Sequence, residues 1–305
     1  MPKHKVKMIL NPNADLGRAW RQAADLRPIV DQFGGADWSG TVYPSHAIEL
    51  ARQAAEEGYQ LVISVGGDGT VHEVINGLMQ VPAEHRPRIG IVPMGSGNDF
   101  AYAAGIDPRP ANALQAIFTG KPRAIDIGRL EDGSGRIEYW NNVLGIGFDA
   151  TTTIHSRRLT YFRGFMVYFL AVLQTILLNH DAPQMHITTD QESWSDKLLM
   201  FVICNGSREG GGFQVAPQAR PDDGILDYAC IGKVSRPMML RLLPEVMKGT
   251  HGRFPQVRMG KLTQMELQSE SPLVIHVDGE IFAGFGMDIR QLRVEIIPGA
   301  VELVS

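Results

Sequence analysis

A chain of 305 residues, 44% of them hydrophobic, has material for one large or two medium cores, and its two cysteines exclude a disulfide-built scaffold. A formal net charge of −4 without a long Lys/Arg run excludes the electrostatic footprint of a nucleic-acid binder. The longest uncharged stretch, Gly164 to Asn179, falls short of the roughly 20 apolar residues of a bilayer span. Val6 to Leu10 is too short for a signal-peptide core, so the chain reads as cytoplasmic.

The first part alternates strand-like and helix-like segments. Val6 to Leu10 predicts a strand, followed by Asn11-Pro12-Asn13-Ala14-Asp15 and a helix to about Phe33. A strand over Thr41 to Tyr43 and a helix from Ser45 to Glu57 come next. Leu61 to Val65 and Arg88 to Val92 are further strands, with a helix to Leu78 between them. This rhythm predicts a parallel sheet covered on both faces, with ligands bound beyond the carboxyl ends of its strands. Thr70 and Glu73 have the spacing of a capping box for the helix that follows Leu61–Val65.

Past Arg123 the pattern shortens. Ile125 to Leu130, Ile137 to Val143, Gln184 to Thr189, Lys197 to Cys204, Leu226 to Ile231, Val257 to Gln268 and Leu273 to Val277 predict a mainly antiparallel second domain. Helices are expected around Tyr161 to Leu178 and Arg236 to Met247. The expected division is residues 1–124 and 125–290, with the tail from about 291 to 305 returning to the first domain.

The strand Leu61–Val65 runs into Gly66-Gly67-Asp68-Gly69-Thr70 and then the helix-like Val71-His72-Glu73. Glycines let the backbone approach a ligand, and successive N–H groups at a helix start suit phosphate. Asp68 is the odd member. A carboxylate beside polyphosphate repels it unless it binds the accompanying Mg²⁺ or takes a proton from an attacking hydroxyl. No G-x-x-x-x-G-K-[ST], H-R-D or D-F-G occurs, which sets aside P-loop NTPases and protein kinases.

Three other features have ordinary structural readings. Asp278-Gly279 between Val274–Val277 and Ile281-Phe282 signals a hairpin turn. Asp222-Asp223-Gly224 reads as a solvated turn. Leu159 to Asn179, apolar nearly all round and holding Phe162, predicts a helix packed on the β-rich domain. Its functional alternative is a lipid-facing wall flanked by Arg157, Arg158 and Arg163. His46, His155 and His276 have no metal-site spacing.

Gly66–Thr70 resembles the loop shared by diacylglycerol, sphingosine and NAD kinases and, with Ser for Thr, phosphofructokinases. Pro93-Met94-Gly95-Ser96-Gly97-Asn98-Asp99-Phe100 is more specific and resembles the corresponding block of the bacterial diacylglycerol kinase and lipid kinase family. Asn11-Pro12, Pro44-Ser45-His46-Ala47, Gly145–Ala150, Asn205-Gly206 with Gly210–Gly212, Pro217–Asp227 and Asp278–Glu280 extend the likeness along nearly the whole chain.

The resemblance implies an α/β plus β architecture of two domains: an N-terminal phosphofructokinase-like, Rossmann-type α/β domain and a C-terminal β-sandwich-like domain. It implies an ATP-dependent, Mg²⁺-dependent lipid kinase acting on a lipid with a free hydroxyl, diacylglycerol-like first among the candidates. Its nucleotide site falls on Asn11, Pro12, Asn13, Ala14, Asp15, Thr41, Gly66, Gly67, Asp68, Gly69, Thr70, Val71, His72 and Ser96. The family often has Ser-Gly where this chain has Ala14-Asp15, so an acid stands near a phosphate contact. Glu280 corresponds to the family's proton acceptor, Asp68 competes for that role, and the two assignments stay open. A structural Mg²⁺ is implied at Asp223 with main-chain oxygens of Arg220 and Ile225, and Asp126 is a candidate to join through water. Implied partners are ATP, the lipid and, transiently, a membrane surface, and a homodimer is compatible with the chain. The rival readings are an NAD kinase and a catalytically silent lipid-binding protein of the same fold.

Overall fold

The computed structural model describes residues 5–159 and 165–305. Two compact units divide it: residues up to Ile127 with Pro298–Ser305, and Gly128–Ile297. The chain passes from one to the other within two long strands, described below.

In the first unit, β1 (Val6–Leu10), α1 (Ala14–Gln32), β2 (Asp37–Gly40), α2 (His46–Glu56), β3 (Leu61–Gly66), α3 (Asp68–Met79), β4 (Arg88–Pro93), α4 (Asp99–Ala103) and α5 (Pro110–Thr119) follow in order. The sheet order is β4-β3-β1-β2, all parallel. One face is packed by Ala19, Ala23, Leu26 and Val30 of α1 and Leu114 and Ile117 of α5 against Met8, Leu10, Ile63, Val65 and Val92. Strands buried on both faces read as unbroken apolar runs, which is why Leu61–Val65 and Arg88–Val92 were visible in the sequence.

Two local expectations need correction. The second strand is Asp37–Gly40, not Thr41–Tyr43; Thr41 follows it, donating its N–H to the Leu10 carbonyl at 2.8 Å. The capping box does not form. Glu73 instead accepts the N–H groups of Ser45 and Ala47, each at 3.0 Å, and so closes the start of α2, while the Thr70 hydroxyl accepts from the Asn11 side-chain amide at 3.2 Å. Both residues serve neighbouring elements, because α3 begins two positions before Thr70, with Gly67 as its N-cap.

β5 (Pro122–Asp132) leads into the second unit, which continues with β6 (Ile137–Trp140), β7 (Val143–Gly147), α6 (Phe148–Ser156), α7 (Phe165–Leu178), β8 (Gln184–Thr189), β9 (Ser193–Cys204), β10 (Leu226–Gly232), α8 (Arg236–Lys248), β11 (Val257–Leu262), β12 (Gln264–Ser269), β13 (Ile275–Val277), β14 (Glu280–Ala283) and β15 (Gln291–Val304). The last residues of β15 pair in parallel with β4 inside the first unit, Leu303 beside Ile89. One antiparallel layer runs β14-β13-β7-β9-β10-β11, and another joins the start of β9 to β8, β12 and β15. Trp140, Phe201, Phe282, Met185, Ile187, Leu267 and Val294 belong to the core between these layers. The outer face of β7, β9 and β10 is covered by α7 and α8 through Val172, Ile176, Met239, Leu242 and Val246. From Leu198 to Cys204 every residue of β9 is therefore buried.

The expected run Val257–Gln268 is two strands, divided at Thr263, whose N–H and hydroxyl both reach the Asp190 carboxylate at 3.1 Å. α6 was not foreseen. Of the expected helix over Tyr161–Leu178, the part from Phe165 is observed; Tyr161, Phe162 and Arg163 lie outside the described residues. On α7, Ala171, Val172, Thr175 and Ile176 are buried, as a helix packed on the sandwich requires, while Leu177 and Leu178 are exposed. Cys204 and Cys230 are free thiols in the core. Among the described residues no helix is long and apolar enough to cross a membrane.

Candidate active site

In the first unit the ends of three parallel strands draw together. The Asn11 N–H bonds the Val65 carbonyl at 3.0 Å, and the Met94 N–H bonds the Gly66 carbonyl at 2.7 Å. Gly67 and Gly95 face one another so closely that a Cβ on Gly95 would collide with the Gly67 Cα. Only two residues without side chains permit this approach, which holds the β3 and β4 loops side by side. Asn11 and Thr70 stand beside them, joined by their side chains.

The loop after β1 is bent by three successive left-handed residues, Asp15, Leu16 and Gly17, with φ of 47°, 56° and 82°. Non-glycine residues adopt this conformation at a cost, and such strain gathers at functional loops. The Asp15 charge is partly offset by Arg18, whose guanidinium lies 3.7 Å away. Ser96 is exposed on the β4 loop, and the side chains of Val71 and His72 are turned into the protein, the His72 ring lying beside the Asn76 amide at 3.3 Å. Asp68 has a task within the fold: its carboxylate accepts the Phe100 N–H at 3.1 Å, at the start of α4. A Cβ on Gly97 would stand 3.0 Å from the other Asp68 oxygen, so this carboxylate shapes the β4–α4 loop.

In the second unit Glu280 opens β14, immediately after a two-residue turn. Asp278 and Gly279 have φ of 50° and 83°, the left-handed pair of a tight hairpin, as Asp-Gly predicts. The Asp278 carboxylate accepts three backbone N–H groups, from Asn141, Asn142 and Val143, at 3.0, 2.9 and 3.0 Å. Glu280 itself is about half exposed, 48% by side chain, and pairs with Arg157 at 2.5 Å.

Behind this turn lies a polar cluster that sequence reasoning missed. His276 Nε2 is 2.7 Å from Asp149 and 3.2 Å from Glu209, and the Tyr168 hydroxyl donates to Asp149 at 2.5 Å and to Glu209 at 3.1 Å. Burial pushes the His276 imidazole down and the Asp149 and Glu209 carboxylates pull it up, while the Gly279 N–H aimed at Nδ1 opposes a second proton on the ring. The Gly279 N–H donates to Nδ1 at 3.1 Å. The carboxylates and the backbone thus agree on one point: Nε2 carries a proton and Nδ1 accepts. Burial raises the Asp149 carboxyl, yet His276, Tyr168 and Glu209 hold it below the ordinary range. Burial, followed by the same two carboxylates, raises the Tyr168 hydroxyl.

The three metal-capable residues lie within 4.8 Å, but a cation on Nε2 would need that nitrogen bare, with any ring proton on Nδ1 facing the Gly279 N–H. The cluster is a proton-sharing network. Its members are scattered over 127 positions and have no local motif; the signal was Asp149 inside the quoted Gly145–Ala150 and Glu209 just before Gly210.

Asp149, Tyr168 and Glu209 form the polar part of an otherwise apolar cavity between α6, α7, α8 and the sheet. Phe148, Val172, Leu199, Phe213, Met239 and Leu242 are among its walls. The void is narrow, about 70 Å³.

The turn before β10 holds the expected Mg²⁺ residues. Asp223 Oδ1 accepts the Ile225 N–H at 3.2 Å, while the Arg220 guanidinium is turned to Asp222. Asp227 is close enough for the Asp223 charge to act on it. Burial raises the Asp227 carboxyl, Lys261 lowers it and Asp223 raises it further. Asp227 Oδ2 is buried without a hydrogen bond among the described residues, and Lys261 Nζ lies 3.6 Å from it. The Asp227 oxygen without a hydrogen bond, with the Asp223 charge acting on it, offers the kind of oxygen ligand that a hard cation takes. Asp126 accepts the Gly299 N–H at 2.8 Å within the first unit.

The chain thus joins a parallel α/β unit with glycine-built strand ends to a β-sandwich unit that bears an apolar cavity. Residues 5–130 match the family model of the diacylglycerol kinase catalytic domain, and residues 142–305 that of the YegS C-terminal NAD kinase beta sandwich-like domain. A probable lipid kinase YegS-like of Chromohalobacter salexigens is 31% identical over 88% of this chain and 82% of its own length. The diacylglycerol kinase of Bacillus subtilis is 26% identical over 90% of this chain and 89% of its own. The crystal structure of a diacylglycerol kinase from Bacillus anthracis superposes with a TM-score of 0.71 at 20% identity, covering 100% of this chain and 97% of that one. The chain belongs to the bacterial lipid kinase family of diacylglycerol kinase type, and it is a lipid kinase.

Proposed function

We propose that the enzyme transfers the γ-phosphoryl group of ATP to the free hydroxyl of a diacylglycerol-like lipid, with Mg²⁺ required. The observation that carries the acceptor class is the apolar cavity lined by α6, α7, α8 and the sheet, whose walls suit an aliphatic chain and whose carboxylates and tyrosine suit a polar head. ATP is assigned to the loops around Asn11–Asp15, Thr41, Gly66–His72 and Ser96, where the paired glycines admit phosphate to the backbone.

Glu280 is the proposed base. Its carboxylate takes the proton of the lipid hydroxyl while that oxygen bonds to the γ-phosphorus. The bond from the γ-phosphorus to the bridging oxygen breaks, and ADP leaves with the electron pair. Asp68 keeps the β4 loop in register and is assigned to the nucleotide and its cation. Mg²⁺ with the nucleotide supplies neutralisation of phosphate charge, and a second ion at Asp223, Arg220 and Ile225 would brace the turn before β10.

ADP release measured with ATP and, in turn, diacylglycerol, phosphatidylglycerol, a sphingoid base and NAD tests this reading. Release is expected with the lipid alcohols, diacylglycerol first, and none above background with NAD. Turnover on NAD alone overturns it.

A further inference from the structure

We infer that Arg157 is the positioning residue for Glu280, and that α6 exists in part to deliver it; the inference rests on Glu280 being the base. Arg157 is the C-cap of α6, where a cation also complements the helix dipole. From there Nη2 donates to the Gly279 carbonyl at 2.8 Å and to Glu280 Oε2 at 2.5 Å. One guanidinium nitrogen thereby ties the carboxylate to the backbone of its own turn.

That backbone is already fixed. Asp278 is bound to three N–H groups, and the Gly279 N–H is bound to His276. The other end of α6 is fixed too, since Asp149 in its first turn holds His276 on β13. α6 consequently grips the β13–β14 hairpin at both ends, at His276 and at Glu280. Among the described residues Arg157 is the side chain bonded to Glu280, and without it a half-exposed Glu with three rotatable bonds has no described partner to select one rotamer.

Stability does not explain the pair. Both side chains are nearly half exposed, at 47% and 48%, and exposed ion pairs contribute little to folding. Two chemical reasons do. A base must stand within hydrogen-bond reach of the proton it removes, and misplacement by about 1 Å costs about 100-fold in rate. A carboxylate that receives a polyanionic nucleotide is also repelled by it, and a guanidinium paired with the carboxylate offsets that repulsion.

The test compares Arg157→Met, Arg157→Lys, Glu280→Gln and Arg157→Met/Glu280→Gln in steady-state kinetics with ATP and diacylglycerol vesicles, with thermal melts alongside. Arg157→Met is expected to lower kcat about 10- to 100-fold, leave both KM values within about threefold and leave the melting temperature nearly unchanged. Lys should recover part of the loss, because it returns the charge but only a single-point contact. The double variant should be no slower than Glu280→Gln alone. Unchanged kcat in Arg157→Met, losses that multiply in the double variant, or a raised lipid KM at normal kcat would each overturn the inference. Should Arg157→Met fold poorly, Arg157→Lys decides: full wild-type kcat contradicts the need for the bridging fork. If Glu280→Gln turns over normally, the base assignment has failed, and this single variant identifies that failure.

Discussion

His276 and Asp149, 127 positions apart in the chain, are joined by a 2.7 Å hydrogen bond between two buried side chains. The bond fixes the first turn of α6 against β13, and the Gly279 N–H on the far side of the ring fixes its tautomer. The His276 proton is therefore expected on Nε2 throughout neutral pH. Nitrogen chemical shifts should show the Nε2–H form with no titration near the ordinary value of about 6.5. A midpoint near that value, or a proton on Nδ1, would contradict the network.

Gly95→Ala places a Cβ against the Gly67 backbone, which cannot move aside as a flexible side chain would. The loops must separate, and the site for phosphate widens with them. Calorimetric titration with ATP should show affinity reduced by about 10-fold or more, corresponding to roughly 1.4 kcal/mol. Affinity equal to wild type would show that the paired glycines serve packing alone.

Leu242 is 2% exposed and lines the apolar cavity. Replacing it with Trp fills a void that has little spare volume. The expected result is a lipid KM raised by about 10-fold or more with the ATP KM unchanged, since nucleotide is assigned to the other unit. An unchanged lipid KM would remove the cavity from the account of lipid binding.

Asp278→Ala withdraws the acceptor of three backbone N–H groups at once. Leaving such donors without their charged acceptor costs about 2–4 kcal/mol, to be read from denaturant midpoints. A loss below about 0.5 kcal/mol would mean that the loop at Asn141–Val143 closes without it.

Much of this was legible because it is local. Apolar runs, the glycine turn after β3 and the Asp-Gly hairpin each state their conformation within a few residues, and β1, β3, β4, β8 and β10 lie close to where periodicity puts them. What escaped depends on residues remote in sequence. Glu73 looks like a cap for its own helix but closes α2, because a carboxylate bonds whichever unpaired N–H groups the fold brings near. Thr41–Tyr43 has strand-forming residues, yet the ladder with β1 ends at Gly40. His276 offered no metal spacing, and its partners come from α6 and the Glu209 loop. Arg157 was noted only as a flanking charge; its pairing with Glu280 exists only once α6 lies beside the hairpin.

The central claim, transfer of the terminal phosphoryl group to a lipid, is tested most directly by label partition. The enzyme is incubated with Mg²⁺, diacylglycerol vesicles and ATP labelled in either the γ- or the α-phosphate, and the lipid is extracted into organic solvent. The account predicts γ-label in the lipid phase, α-label wholly in water, and loss of the lipid signal in Glu280→Gln. Failure of γ-label to enter any lipid under turnover, or its appearance in the lipid phase at undiminished rate in Glu280→Gln, would contradict it.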